Sequence, residues 1–247
     1  MKEYKHIEYS DVCPKYNYLN LLLPDGECKA LFVYIHGGGL VINEPCEHIY
    51  PFMKELCTKG IGVATIEYRG FPRYKYPDFI NDSAAAVAWV KEHIKEYTDC
   101  DKIFVGGSSA GGYLSMMLCF DKKYLGIHGI EPTDLAGFIH DAGQPTAHFN
   151  VLKSRGTDSR RVIVDETAPL YHIGVDKEYP PMLFIVSDND MENRYEQTQL
   201  VMSTLRHFRY DENKYYLEVR NGNHCHYVGT DDGVFAGMIE KFINKYL

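Results

Sequence analysis

Short apolar runs alternate with amphipathic stretches of helical spacing along almost the whole chain. Between residues 4 and 24, Tyr16, Tyr18, Leu19, Leu21 and Leu23 are interleaved with polar residues up to Pro24-Asp25-Gly26. That alternation predicts one or two opening strands closed by a turn. Residues 30–35 form a nearly continuous apolar run that ends at His36-Gly37-Gly38-Gly39, and residues 61–66 form another that ends at Glu67-Tyr68-Arg69-Gly70. Runs of this kind suit strands buried on both faces of a parallel sheet. Further strands are predicted at 103–105, 135–139, 182–186 and 215–219. Helical spacing predicts helices over 45–59, 78–97, the stretch after Ser109, 195–208 and 234–246.

Strands alternating with helices in this way indicate an α/β fold, a mostly parallel twisted sheet with helices on both faces. Periodicity weakens over 141–178, where prolines, glycines and charges mix. That stretch is expected to be an inserted cap or lid lying over the sheet edge, because long irregular connections tend to serve as lids or binding loops. Residues 1–247 are read as a single domain, since neither a linker nor an internal repeat divides them.

Composition narrows the class. Hydrophobic residues make up 45% and charged residues 24% of the chain, an ordinary soluble balance that leaves material for a sizeable core. The net charge of −8 and the lack of a basic stripe argue against a nucleic-acid partner. The longest apolar run, residues 84–90, is too short to span a bilayer, and the charged first ten residues hold no signal-peptide core. Seven scattered cysteines without a Cys-x-x-Cys suit a reducing compartment, so the expected location is cytoplasmic.

Candidate chemistry gathers where strands end, as it does in open α/β sheets. Gly107-Ser108-Ser109-Ala110-Gly111 fits Gly-x-Ser-x-Gly, with a strand before it and a helix after it. In that context the pattern describes a sharp turn that lifts one serine hydroxyl clear of the sheet. Serine needs a base to take its proton and an acid to hold that base in the right tautomer. Ser187-Asp188-Asn189-Asp190 supplies acids after one strand, and Asn223-His224-Cys225-His226 supplies bases after the next. Asp190 is preferred to Asp188, which instead suits a cap or turn brace. His224, in the tight turn after Gly222-Asn223, is preferred to His226. A metal site on His224, Cys225 and His226 lacks the usual ligand spacing, so no metal is expected. Backbone amides of Gly38, Gly39 and Ala110 are candidate donors to an oxyanion. A phosphate-binding role for the glycine run is disfavoured, as no Gly-Lys-Ser/Thr follows it.

His36-Gly37-Gly38-Gly39, the pattern around Ser109 and the late Asp and His resemble the α/β-hydrolase fold, within it the esterase/lipase branch that includes hormone-sensitive-lipase-like carboxylesterases. Glu67-Tyr68-Arg69, Tyr76-Pro77, Asp82 and Ala88-Trp89-Val90 are also similar to that branch. The chain departs from it at Gly70, where the branch usually has leucine, at Glu67, where it has aspartate, and at Cys225-His226, where it often has Gly-Phe. The resemblance implies a serine esterase acting on short-acyl, acetyl-like esters through an acyl-enzyme, without a cofactor. The same triad would also suit a small-amide hydrolase or peptidase, and the fold alone would suit a small-ligand-binding protein. Gln144, His148, Phe149, Tyr171 and His172 in the insertion are expected to shape a polar pocket, suited to an acetylated sugar. An edge strand or the last helix offers a route to a homodimer.

Overall fold

A computed structural model describes residues 1–41, 49–230 and 232–247. One eight-stranded sheet runs through the molecule in the order β1-β2-β4-β3-β5-β6-β7-β8. The strands β3 (Ala30–Ile35), β4 (Ile61–Ile66), β5 (Ile103–Ser108), β6 (Gly137–Asp141) and β7 (Met182–Ser187) are buried at every position. Their apolar continuity follows from helices covering both faces. Together with β8 (Tyr215–Arg220) they pair in parallel. The two opening strands, β1 (Lys2–Glu8) and β2 (Tyr18–Leu23), run antiparallel along one edge.

Each face of the sheet carries its own core. α1 (Tyr50–Thr58) and α8 (Val234–Lys245) cover one side. In α8 the buried residues Phe235, Ala236, Ile239, Phe242 and Ile243 fall on one stripe, which sets the helix down on Phe104 and its neighbours. α2 (Asp78–His93), α3 (Ala110–Phe120) and α7 (Arg194–His207) cover the other side, around Val33, Val105 and Phe138. Three shorter helices are also present, α4 (Lys123–Gly126), α5 (Phe149–Ser154) and α6 (Pro169–His172). Among the described residues, no helix is long and apolar enough to cross a membrane.

Boundaries differ from the sequence expectation in ways that have physical causes. α2 stops at His93 and tightens into a 3-10 turn at Ile94–Glu96. β5 continues through Gly106 and Gly107 to Ser108, because these glycines lie in the middle of the sheet. A Cβ on Gly106 would stand 2.5 Å from the Ile139 carbonyl oxygen. β6 begins two residues later than expected and ends on Asp141, so Asp141 belongs to the sheet. α1 begins at Tyr50, and positions 45–48 of the helix expected from 45 lie outside the described residues.

The segment after β6 is not at a sheet edge. β6 lies between β5 and β7, so the chain leaves from the middle of the sheet. Residues 142–148 are buried, and the segment is tied to α3 and α7. Tyr113 donates to the Thr167 carbonyl at 2.8 Å, and Thr146 donates to Gln197 at 3.2 Å.

Candidate active site

The chain order reverses between β3 and β5: the strand following β3 lies on one side of it and β5 on the other. Ligand sites in open α/β sheets favour such a switch point, because loops diverge there and leave a crevice. Ser109 stands at this crevice, between β5 and α3, with φ 56° and ψ −113°. A non-glycine residue in that region is strained and must be held by its surroundings. Its amide donates to the Asp141 carbonyl at 2.8 Å, and its carbonyl accepts the Tyr113 amide as the first bond of α3. The flanking glycines follow from packing: a Cβ on Gly107 would lie 2.3 Å from the Ile35 carbonyl oxygen, and one on Gly111 only 1.8 Å from it.

His224, in the loop after β8, points Nε2 at Ser109 Oγ, 2.8 Å away. Its Nδ1 faces Asp190 Oδ1 at 2.5 Å. Asp190 also accepts the Met191 and Ser187 amides. Burial would raise the Asp190 carboxyl, but the bond to His224, that ring's charge and these amides outweigh it and hold the group below its ordinary value. The structure thus brings Ser109, His224 and Asp190 into one hydrogen-bonded line. Asp188 is elsewhere: its carboxylate accepts the Gly222 amide at 2.9 Å and braces the start of the histidine loop. His226 packs its ring on Gly222 and bonds the Asn223 carbonyl. Among the described residues, no cluster of three metal-ligating side chains occurs.

Gly37 brings the glycine run against the serine: a Cβ there would lie 3.3 Å from Ser109 Cβ. Gly38 and Gly39 have φ of 106° and 67°. Ala110 is the first residue of α3, where amides lack intrahelical partners and the helix dipole favours negative charge. Several side chains support this loop. Asn150 Nδ2 donates to the Gly39 carbonyl at 2.5 Å, and the Phe149 ring edge rests on Gly39. The Tyr68 hydroxyl donates to the His36 carbonyl at 2.9 Å, and its ring stacks on the His36 imidazole. Arg69 grips Asp82 through Nε and Nη2 at 2.8 and 2.7 Å, so the Glu67-Tyr68-Arg69 stretch is fastened to α2.

Of the insertion residues expected to form a polar pocket, Gln144, His148 and Phe149 lie together, with the Gln144 side-chain oxygen accepting the Phe149 amide and the His148 ring packed on Phe149, while Tyr171 and His172 lie apart from them. Gln144 bonds Thr146 and the Ala147 carbonyl. His148 caps α5 by accepting the Asn150 amide. Tyr171 is exposed. His172 lies 3.4 Å from Asp121, at the far end of α3 from Ser109. Eleven helical residues separate those ends by ~16 Å. Phe149 is the one of the five that meets the glycine loop. Sequence reasoning gave no role to Asn150, or to the buried trio Asp141, Arg194 and Tyr227. Their polar groups fall at a strand end, at helix starts and in the loop after β8, where no spacing rule marks a partner.

A profile described as the alpha/beta hydrolase fold matches residues 32–197, and the chain belongs to that family. Over 200 residues it is 30% identical to a probable carboxylic ester hydrolase, LipM, of Mycobacterium tuberculosis, covering 73% of this chain and 46% of LipM. The chain therefore spans under half the length of that relative. Among solved structures, esterase B from Lactobacillus rhamnosis superposes with a TM-score of 0.79 at 18% identity, covering 99% of this chain and 85% of that one. A truncated carbohydrate esterase from gut microbiota superposes with a TM-score of 0.78 at 18% identity, covering 100% and 96%.

Proposed function

We propose that this protein is a serine carboxylesterase hydrolysing short-acyl esters through an acyl-enzyme. The observation that carries the reading is the line Ser109 Oγ, His224 Nε2, Nδ1, Asp190 Oδ1, with steps of 2.8 and 2.5 Å. His224 takes the Ser109 proton as Oγ attacks the ester carbonyl, and Asp190 holds the ring with its Nδ1–H toward the carboxylate and balances the imidazolium. The amides of Gly38, Gly39 and Ala110 receive the developing oxyanion. His224 then protonates the leaving alcohol. Water, deprotonated by the same ring, releases the acid from Ser109. Family membership and the likeness to LipM support this chemistry.

The short-acyl reading is supported by the Phe149 ring, whose edge lies against Gly39 beside the proposed oxyanion donors. Of the 141–178 insertion, Phe149 and Asn150 form the part that covers this side, against Gly39, and the free thiols at Cys13, Cys28, Cys57, Cys100, Cys119 and Cys225 support a reducing compartment. The test is hydrolysis of p-nitrophenyl acetate, butyrate and octanoate by the wild type and by Ser109→Ala. Turnover favouring the two short esters and abolished in the variant is expected. Turnover unchanged by Ser109→Ala contradicts the mechanism, and a preference for octanoate contradicts the short-acyl assignment.

A further inference from the structure

Asp141 ends β6 with its side chain wholly buried, and the mechanism above makes no use of its carboxylate. Two of its groups face the site in different directions. The main-chain carbonyl accepts the Ser109 amide at 2.8 Å. The carboxylate accepts the Tyr227 hydroxyl at 2.5 Å, and Tyr227 lies three residues beyond His224 on the same loop. Cys225 also places its sulfur 3.8 Å from the second carboxylate oxygen.

This matters because Ser109 and His224 are carried by strands that are not neighbours. β6 and β7 lie between β5 and β8, so the loop after β8 must reach back over about 14 Å at the usual strand spacing. The start of that loop is held to the end of β7 by Asp188, by Asn189 bonding Asn223, and by Ser187 donating to the Asn223 carbonyl. Tyr227 carries the anchorage one strand further, to β6. Asp141 is a firm post for it. The next residue, Ala142, donates to the Ile185 carbonyl, and its own carbonyl accepts the buried guanidinium of Arg194. α3 presses on the same point, since a Cβ on Gly112 would lie 2.5 Å from the Asp141 carbonyl oxygen.

We propose that Asp141, acting through the Tyr227 hydroxyl, is the positioning residue that holds His224 in register with Ser109. This rests on the esterase reading above. One residue grips the nucleophile's backbone and the base's loop, so it fixes the separation on which proton transfer depends. Small misplacements of reacting groups cost rate steeply, roughly 100-fold per ångström.

The test uses Tyr227→Phe, which keeps the ring against Phe235 and removes only the hydroxyl. Asp141→Ala and Asp141→Asn accompany it. Rates with p-nitrophenyl acetate are taken per active site, counted by phosphonate titration, so unfolded enzyme does not register as lost turnover. Tyr227→Phe is expected to lower kcat by about 10- to 100-fold with KM within about twofold. Asp141→Ala falls at least as far. Asp141→Asn, which retains an oxygen to accept the hydroxyl, recovers several-fold of that loss. If Asp141→Ala does not fold, Tyr227→Phe decides the matter alone. A Tyr227→Phe enzyme with wild-type kcat, or with its loss in KM, overturns the proposal while leaving a Ser109-dependent esterase intact. A wild type without Ser109-dependent turnover overturns the esterase reading, and this positioning role with it.

Discussion

Asp190 and Asp141 are buried carboxylates in the same small region, yet their environments push them in opposite directions. Asp190 is held below its ordinary value of 3.8, so its contribution to stability is present above that pH and lost as acid titrates the folded form. Burial raises Asp141 to about 6, against the pull of the Ser108 and Tyr227 hydroxyls. Between pH 4 and 6 the unfolded chain ionises this residue while the folded chain keeps its proton. Native stability from Asp141 therefore falls as pH rises, by on the order of 3 kcal/mol once pH exceeds 6. Asparagine does not titrate, so the melting temperature of Asp141→Asn relative to wild type should climb from pH 4 to 6.5. A constant difference across that range contradicts the raised value. Activity separates the neighbouring candidates in the same way. Asp190→Asn and His224→Ala should each lower kcat/KM by about 10³- to 10⁴-fold. Asp188→Asn, which only disturbs a brace at Gly222, should stay within about tenfold of wild type. Equal losses for Asp188→Asn and Asp190→Asn would remove the assignment of the acid.

Sequence patterning located some strands to the residue and missed the ends of others that are equally buried, such as β6. β3 and β4 occupy the residues their apolar runs marked, each run being covered on both faces and ending at a polar residue, His36 or Glu67. Patterning failed where backbone contact, not side-chain character, decides. Gly106 and Gly107 read as the end of a strand but lie within β5, where neighbouring carbonyls leave no room for a Cβ. The placement of 142–178 was also illegible, since its buried Gln144, Thr146 and His148 are satisfied by partners far away in sequence or by their own turns. The glycine pattern around Ser109 was legible for the same steric reason that makes it fragile. Gly111→Ala must push the start of α3 away from the Ile35 carbonyl, a displacement expected to cost more than about 3 kcal/mol. Gly126→Ala in α4 meets nothing within 4 Å and should be neutral or slightly stabilising. Chemical denaturation of the two variants makes the comparison, and equal effects would contradict the packing account.

At the scale of the molecule, the α1 and α8 core meets the site through Tyr227, whose ring packs on Phe235, while Phe242 packs at Gly137, the start of β6 and the end away from the site. The active-site line stands at the carboxyl ends of the strands, while α1 and α8 close the opposite face of the sheet. Phe242 is fully buried there, with its ring edge-on to Phe104 at 5.9 Å. Phe242→Ala should lower stability by about 3–5 kcal/mol and leave kcat per folded molecule near wild type. A large loss of kcat in the folded variant would mean that this face and the site are coupled. The family resemblance and the ordered Ser, Asp and His at strand ends made the architecture readable from the sequence. The long-range ties that fix their geometry, from Asn150 to Gly39 and from Tyr227 to Asp141, required the fold. The central claim is that Ser109 is a nucleophile activated by His224. The most direct measurement is covalent labelling with a p-nitrophenyl alkylphosphonate, followed by mass mapping of the adduct. One equivalent on Ser109, absent in Ser109→Ala and much slower in His224→Ala, is the predicted result. An unlabelled wild type, or an adduct on another residue, would contradict the account.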